Sequence, residues 1–341
     1  MGPTRRLILP GMLALGAVLG ACRPEIVGRS HTPKLDTKLL DRDFPALAEK
    51  AAPGVFVGAV MNLESGEAWH WNSEKPVPMQ SVFKAALGAA ALAQADAGRL
   101  PLDRVVNLTE MDLSPAFSSV ADAFPGRSEY TIQELLQLAV KVSDNTAADV
   151  LMKQVGGPGV VTAWLKEHGI EGLRIDRYER ELQADLSGTA PYRPEWKGAQ
   201  WDMVRAAVPE MERRAAFERY MADPRDTITT HGALDFLARL ASGALLSTPS
   251  TLLLLKIMTE TSTGPNRLKA GLPAGAALAH KTGTGPVVLG VNAATNDMGI
   301  VTLADHRRYA LAAFVAGCPA PETVREGLIA DFARLAVKAA G

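Results

Sequence analysis

The sequence predicts an α/β fold, with one antiparallel sheet built from the two ends of the chain, terminal helices flanking it, and an all-helical lobe inserted between. Three observations carry this. Strand-like apolar runs cluster near the ends, at Val55 to Met61 and Ala68 to Trp71, and again near Val287 to Ala294, Gly299 to Ala304 and Tyr309 to Ala316. Most of the sequence between these groups reads as helix. One helix precedes the first run and another follows the last, so both can lie on the same sheet.

Each element has a local reason. The first helix spans about Thr37 to Lys50, and Asn62-Leu63-Glu64-Ser65-Gly66 is a hairpin connection between the first two strands. Ser81 to Ala97 is apolar almost all round, which predicts a buried central helix closed by Gly98. Thr131 and Glu134 form a T-x-x-E capping box opening a helix to about Val142. Gly156-Gly157-Pro158-Gly159 breaks the helix after it. Asp305-His306-Arg307-Arg308 is a polar turn before the last strand. Pro321 suits a first helical turn, and Val324, Leu328, Phe332 and Leu335 give the apolar stripe of the closing helix. The helical lobe runs from about 81 to 275, residues 37–341 form one domain, and the cleft is expected between sheet and helices. There is no internal repeat.

The first 22 residues read as an export leader. Arg5 and Arg6 supply a positive start, Leu7 to Gly20 an apolar stretch too short to span a bilayer, and Leu19-Gly20-Ala21-Cys22 the end. Those four residues resemble a bacterial lipobox, which implies diacylation of Cys22 and a mature protein beginning there; the alternative is an ordinary signal with a coincidental cysteine. Arg23, where an inner-membrane retention signal usually has Asp, leans the expected location to the periplasmic side of the outer membrane. Thr4-Arg5-Arg6 leaves Sec and twin-arginine export both open. Residues 23–36 read as a polar tether, and the lipid is the only expected link to a membrane. Cys22 and Cys318 are the only cysteines, and they are poorly placed to pair. A formal net charge of -1 gives no electrostatic case for nucleic acid. None of the six histidines forms an H-x-H or H-E-x-x-H pattern, which argues against a zinc hydrolase.

Three short motifs follow one another: Ser81-Val82-Phe83-Lys84, Ser143-Asp144-Asn145 and Lys281-Thr282-Gly283. Ser81 and Lys84 share a helix face, so the ammonium can reach the hydroxyl. A serine at a helix N-terminus also offers free backbone N–H groups to a developing oxyanion. A lysine in so apolar a helix is buried, and a second cation nearby, Lys281, makes it usable as a base. Ser143-Asp144-Asn145 lies between two helices, where such residues also serve as caps. Lys281-Thr282-Gly283-Thr284 precedes a strand, and Gly283 permits close approach to the backbone. His280 reads as structural.

In this order the motifs resemble those of class A serine β-lactamases and penicillin-binding proteins. The resemblance covers roughly Asp36 to Lys338. It implies a nucleophile at Ser81, proton relay to the leaving nitrogen by Ser143, and a grip on the substrate's amide side chain by Asn145. It also implies carboxylate recognition by Lys281, Thr282 and Thr284, and an oxyanion hole from the N–H groups of Ser81 and Thr284. Arg177-Tyr178-Glu179-Arg180-Glu181-Leu182-Gln183 resembles the class A Ω-loop, in which Glu179 activates the deacylating water and Gln183 helps hold it. Thr263-Gly264-Pro265-Asn266-Arg267-Leu268 is similar to the segment before K-T-G and offers Arg267 as a second cation for the carboxylate. The implied activity is hydrolysis of small-molecule β-lactams by a monomer without metal or organic cofactor. A D,D-peptidase and a slowly deacylating β-lactam-binding lipoprotein are the rivals.

The chain departs from the pattern in three places. Leu113 stands where an aromatic usually precedes Ser-Pro, and Met298 where many members have arginine. The Ω-loop is enlarged by an insertion at about 184–224 before Asp226, the expected partner of Arg177. Tyr192, Trp196 and Trp201 lead into a helical stretch broken at Pro209, with Val204, Val208, Met211 and Ala215 as its apolar stripe. The insertion is expected to form a partly helical flap beside the cleft, its stripe covering the Ω-loop, and the alternative is a solvated decoration with no bearing on turnover.

Overall fold

A computed structural model describes residues 34–341, in which both ends of the chain meet in one antiparallel sheet. The leader, Cys22 and most of the tether lie outside the described residues. The first helix, α1 (Thr37–Glu49), is capped by the Asp36 carboxylate, which accepts from Leu39 N. Leu35 is buried, its N–H donates to Glu67 Oε2 at 2.8 Å, and Asp36 N donates to Ala339 O at 2.8 Å. The last residues of the expected tether thus belong to the folded domain.

The chain then forms β1 (Val55–Asn62), β2 (Ala68–Trp71) and β3 (Val77–Pro78) and enters the lobe. There follow α2 (Phe83–Asp96), β4 (Val105–Asn107), α3 (Ser119–Ala123), β5 (Glu129–Thr131), α4 (Ile132–Lys141), α5 (Asn145–Val155) and α6 (Pro158–Glu167). After these come α7 (Glu179–Ser187), α8 (Ala199–Ala207), α9 (Glu210–Ala222), β6 (Thr227–Ile228), α10 (Thr230–Ala241), α11 (Thr248–Thr259) and α12 (Leu268–Gly271). The chain returns to the sheet as β7 (Ala277–Thr284), β8 (Val287–Val288), β9 (Val291–Thr302) and β10 (Arg308–Cys318), and ends in α13 (Glu322–Ala340).

The sheet order is β2-β1-β10-β9-β7, with β8 paired to β9. Both faces are covered, so alternate residues serve two cores. On β10, Ala310, Ala312 and Phe314 face the core shared with the lobe, while Leu311, Ala313 and Val315 face that shared with α1 and α13. This double burial explains why β10 reads as a nearly unbroken apolar run.

Several expected elements hold. The α4 capping box is complete, with Glu134 N donating to Thr131 Oγ1 at 3.1 Å and Thr131 N to Glu134 Oε2 at 2.9 Å. Gly156 closes α5 at φ 111°, and α2 is buried from Phe83 through Leu92, Lys84 included. Others change. Most of the runs near Val287 to Ala294 and Gly299 to Ala304 belong to one strand, β9, because the polar residues between them are buried and partnered. Lys281 to Thr284 do not precede a strand but end one, β7 at the sheet edge. The lobe is not all helical, since β4 pairs with β5 and β6 with β3. Pro321 is the N-cap of α13 and not its first turn, and Val324 is exposed while Leu328, Phe332 and Leu335 are buried.

The insertion does fold as helices over the Ω-loop, but on a different face from the one expected. Met211 is 80% exposed; Ala216 and Tyr220 are the buried residues of α9. Tyr220 and Phe217 pack with Leu182 and Leu186 of α7. Pro209 separates α8 from α9, so a stripe drawn through it loses its phase.

Candidate active site

Ser81 lies in a 3₁₀ turn, Gln80–Val82, that leads directly into α2. The turn is pinned from three sides. Gln80 has left-handed backbone (φ 49°), and its Nε2 donates to the buried Tyr220 hydroxyl from the insertion. Asn296 Nδ2 on β9 donates to Pro78 O at 2.9 Å and Met79 O at 3.1 Å. At Gly283 on β7 an added Cβ would stand 2.4 Å from Met79 O, so only glycine allows this approach.

Lys84 lies one turn along and fully buried, with Nζ 3.0 Å from Ser81 Oγ, 2.6 Å from Asn145 Oδ1 and 2.9 Å from Ser143 O. Ser143 occupies the α4–α5 junction in left-handed backbone (φ 64°). Asp144 beside it is the structural member of its motif. Its carboxylate caps α5 by accepting from Ala147 N and also accepts from Ser118 Oγ, Ser119 Oγ and Val120 N. That cap leaves the Ser143 carbonyl and the Asn145 side chain facing Lys84. From β7, Lys281 Nζ donates to Ser143 Oγ at 3.0 Å. Burial, and then the Lys84 ammonium, hold Lys281 well below the usual lysine range.

Glu179 begins α7. Its Oε1 is 3.3 Å from Ser81 Oγ and 3.0 Å from Lys84 Nζ, and its side chain is 2% exposed. Gln183, one turn along on the same face, donates from Nε2 to Glu179 Oε2 at 3.1 Å. The insertion has therefore not displaced Glu179. Asp226 closes the loop as expected, accepting Arg177 Nε at 2.6 Å and the N–H groups of Asp176 and Arg177 at 2.7 and 3.1 Å.

One largely buried constellation, with Ser81 and Ser143 half-buried at the cleft, thus joins Ser81, Lys84, Ser143, Asn145, Glu179 and Lys281, drawn from four separate parts of the chain. The β-lactamase enzyme family model matches residues 39–340. The chain belongs to that family. It is 33% identical to the extended-spectrum β-lactamase PER-1 of Pseudomonas aeruginosa, over 85% of this chain and 83% of that protein. It superposes on the structure of a β-lactamase from Chitinophaga pinensis DSM 2588 with a TM-score of 0.75, at 33% identity, covering 89% of this chain and 100% of that one. A class A β-lactamase of the last common ancestor of Gram-negative bacteria aligns at TM-score 0.71 and 30% identity, over 88% and 98% of the two chains. These similarities place it in class A.

The cleft of this class A β-lactamase is lined by Ser81, Ser143, Asn145, Gln183, Thr282 and Thr284, with Phe117 on its rim. Leu113 is buried, and the exposed aromatic side chain lies four residues later, at Phe117. Arg267 is not on the lining. Its guanidinium donates to Glu326 Oε1 at 3.0 Å, Gly283 O at 3.2 Å, Asn296 O at 2.9 Å and Thr284 Oγ1 at 2.7 Å. The expected second cation is thus held behind β7, where it positions Thr284. Met298 faces Lys281 across the β7–β9 ladder and is core. His280 is structural, with Nδ1 2.9 Å from Asp297 Oδ1.

Four supporting residues of the β-lactamase escape a reading by motif. Asp149 is fully buried and accepts Glu179 N at 2.6 Å, Arg180 N at 3.1 Å and Ser114 Oγ at 2.5 Å, so it anchors the start of α7. Burial pushes its carboxyl up from the ordinary value. Asn296, Tyr220 and Glu326 are the others. Each is a buried polar residue outside the motifs whose partner is remote in sequence, and only buried polarity without a helical or strand role signals it.

Proposed function

We propose that the protein hydrolyses β-lactam antibiotics through an acyl-enzyme on Ser81. The observation that carries this reading is Glu179, which faces both Ser81 and Lys84 while Gln183 holds its other oxygen. Ser81 Oγ attacks the lactam carbonyl, and its proton goes to one of the two groups facing it, Lys84 or Glu179 through a water. The N–H groups of Ser81 and Thr284 hold the oxyanion. Collapse breaks the lactam C–N bond, and Ser143, fixed by Lys281, relays a proton to the leaving nitrogen, its own hydroxyl being restored by the proton taken from Ser81, which leaves Glu179 free as a base. Thr282, Thr284 and Lys281 bind the substrate carboxylate, and Asn145 its side-chain amide. Water activated by Glu179 and oriented by Gln183 then cleaves the ester and restores Ser81.

A D,D-peptidase of the same superfamily has no need of that glutamate, and a lipoprotein that only traps β-lactams would release one equivalent of product. A chromogenic cephalosporin separates these. The expected result is many equivalents of colour per enzyme, with a transient adduct by intact mass. A single stoichiometric burst would overturn the hydrolase reading.

We also propose export and lipid anchoring at Cys22, from the leader pattern alone, because acyl chains are the only anchor that the sequence offers. Cys22→Ser is expected to move the protein from the membrane fraction to the soluble periplasm. A parent protein that fractionates as soluble, with no lipid mass on its N-terminus, removes the lipobox reading.

A further inference from the structure

The insertion brings one residue to the wall of the cleft that no motif contains. Arg205 of α8 lines the same depression as Ser81, Gln183, Thr284 and Pro286. It also lines a second, adjoining trough between the insertion and the β8 segment, with Leu186, Arg213, Val287 and Leu289. Arg205 and Pro286 are common to both, so the trough continues the cleft.

The chemistry of the trough is one-sided. Arg205 Nε and Arg213 Nε are both buried without a hydrogen-bond partner among the described residues. Arg213 makes no ion pair there, whereas Arg205 pairs through its Nη2 with Asp202 at 2.5 Å. Asp202 also lines the trough but is 69% exposed, so two guanidiniums face one largely hydrated carboxylate. The Arg205 guanidinium lies 6.0 Å from the ring of the buried Trp201, which fixes its direction. The walls are apolar, and Val287 is 56% exposed with no cover. Buried N–H donors without acceptors cost free energy until a ligand or water meets them.

Position along β7 says which end of a substrate reaches this trough. Lys281, Thr282 and Thr284 mark the carboxylate end of the cleft, and Gly285 and Pro286 continue the same wall past Thr284, about 10 Å beyond Thr282 at ~3.3 Å per residue. With the carboxylate proposed at that first end, the acyl amide, which leaves a β-lactam nucleus on the side away from its carboxylate, would extend toward the far end. We propose that Arg205 and Arg213 form an anion-recognising extension of the cleft, selecting β-lactams whose acyl side chain ends in a carboxylate. This rests on the β-lactamase reading above.

The test uses two cephalosporins with one nucleus, one carrying a pentanoyl arm and the other a glutaryl arm of equal length ending in a carboxylate. The quantity read is the ratio of kcat/KM, glutaryl over pentanoyl. In the double variant Arg205→Gln, Arg213→Gln the ratio is expected to fall about tenfold, mainly through KM, as for a lost charge-assisted contact. Asp202→Asn removes the competing carboxylate and is expected to raise the ratio. Added salt lowers the ratio for the parent but not for the double variant. A ratio within twofold of the parent in both variants overturns the proposal. If the double variant fails to fold, Asp202→Asn decides alone, and an unchanged or lower ratio overturns it. Hydrolysis of neither substrate by the parent would instead overturn the β-lactamase reading.

Discussion

Glu179→Ala protein is expected to react with penicillin and then to keep it. Ser81 would retain Lys84 at 3.0 Å to take its proton, and the Lys281–Ser143 pair, so the lactam can still be opened without Glu179. What disappears is the carboxylate that would deprotonate the deacylating water and receive the Gln183 amide. Loss of a general base costs about 10²–10⁴ in rate. The adduct should therefore persist long after the parent's has cleared, at a mass equal to protein plus intact penicillin. An adduct that clears at the parental rate would show that Glu179 is not the deacylation base.

Ser81→Ala has the larger effect on overall turnover, on the order of 10⁶-fold by the scale for a lost serine nucleophile. It should also abolish the penicillin adduct altogether. The substitution is structurally mild. Lys84 keeps Asn145 Oδ1, Ser143 O and Glu179 Oε1, and the 3₁₀ turn keeps its ties to Asn296 and Tyr220. An unchanged melting temperature with no adduct is the expected pair of observations. A persistent adduct at full occupancy would move the nucleophile to another side chain.

The fold and the centre of the site were legible wherever the controlling interaction is local. Ser81 and Lys84 meet because three residues make most of a helical turn, and Thr131 and Glu134 cap α4 within that same span. Glu179 and Gln183 meet for the same reason on α7. Legibility fails where polarity is satisfied at long range. Thr295, Asn296 and Asp297 look like a break in a strand, yet their partners are Arg325, the backbone at Pro78 and Met79, and His280. Arg267 reads as a free cation until Glu326 is found beside it. Tyr220 and Gln80 are 140 residues apart, and neither belongs to a motif. The face of α9 was misread because Pro209 resets the helical phase.

The sheet that unites the chain's two ends also dictates when the enzyme can come into being. Val55 pairs with Ala316, so the neighbour that β1 requires is the last strand of the described residues to be synthesised. Lys281 reaches Ser143 only once β7 is seated on β9, and β9 in turn lies on β10. A nascent chain thus carries Ser81, Lys84 and Glu179 without the edge that faces them until almost all of it has emerged. Contacts of such sequence separation close slowly. For export by the Sec route, one of the two that the leader leaves open, that slowness is useful, because a chain that cannot finish its sheet remains threadable through a membrane pore. The same wiring means that no fragment ending before β10 can hold the constellation together.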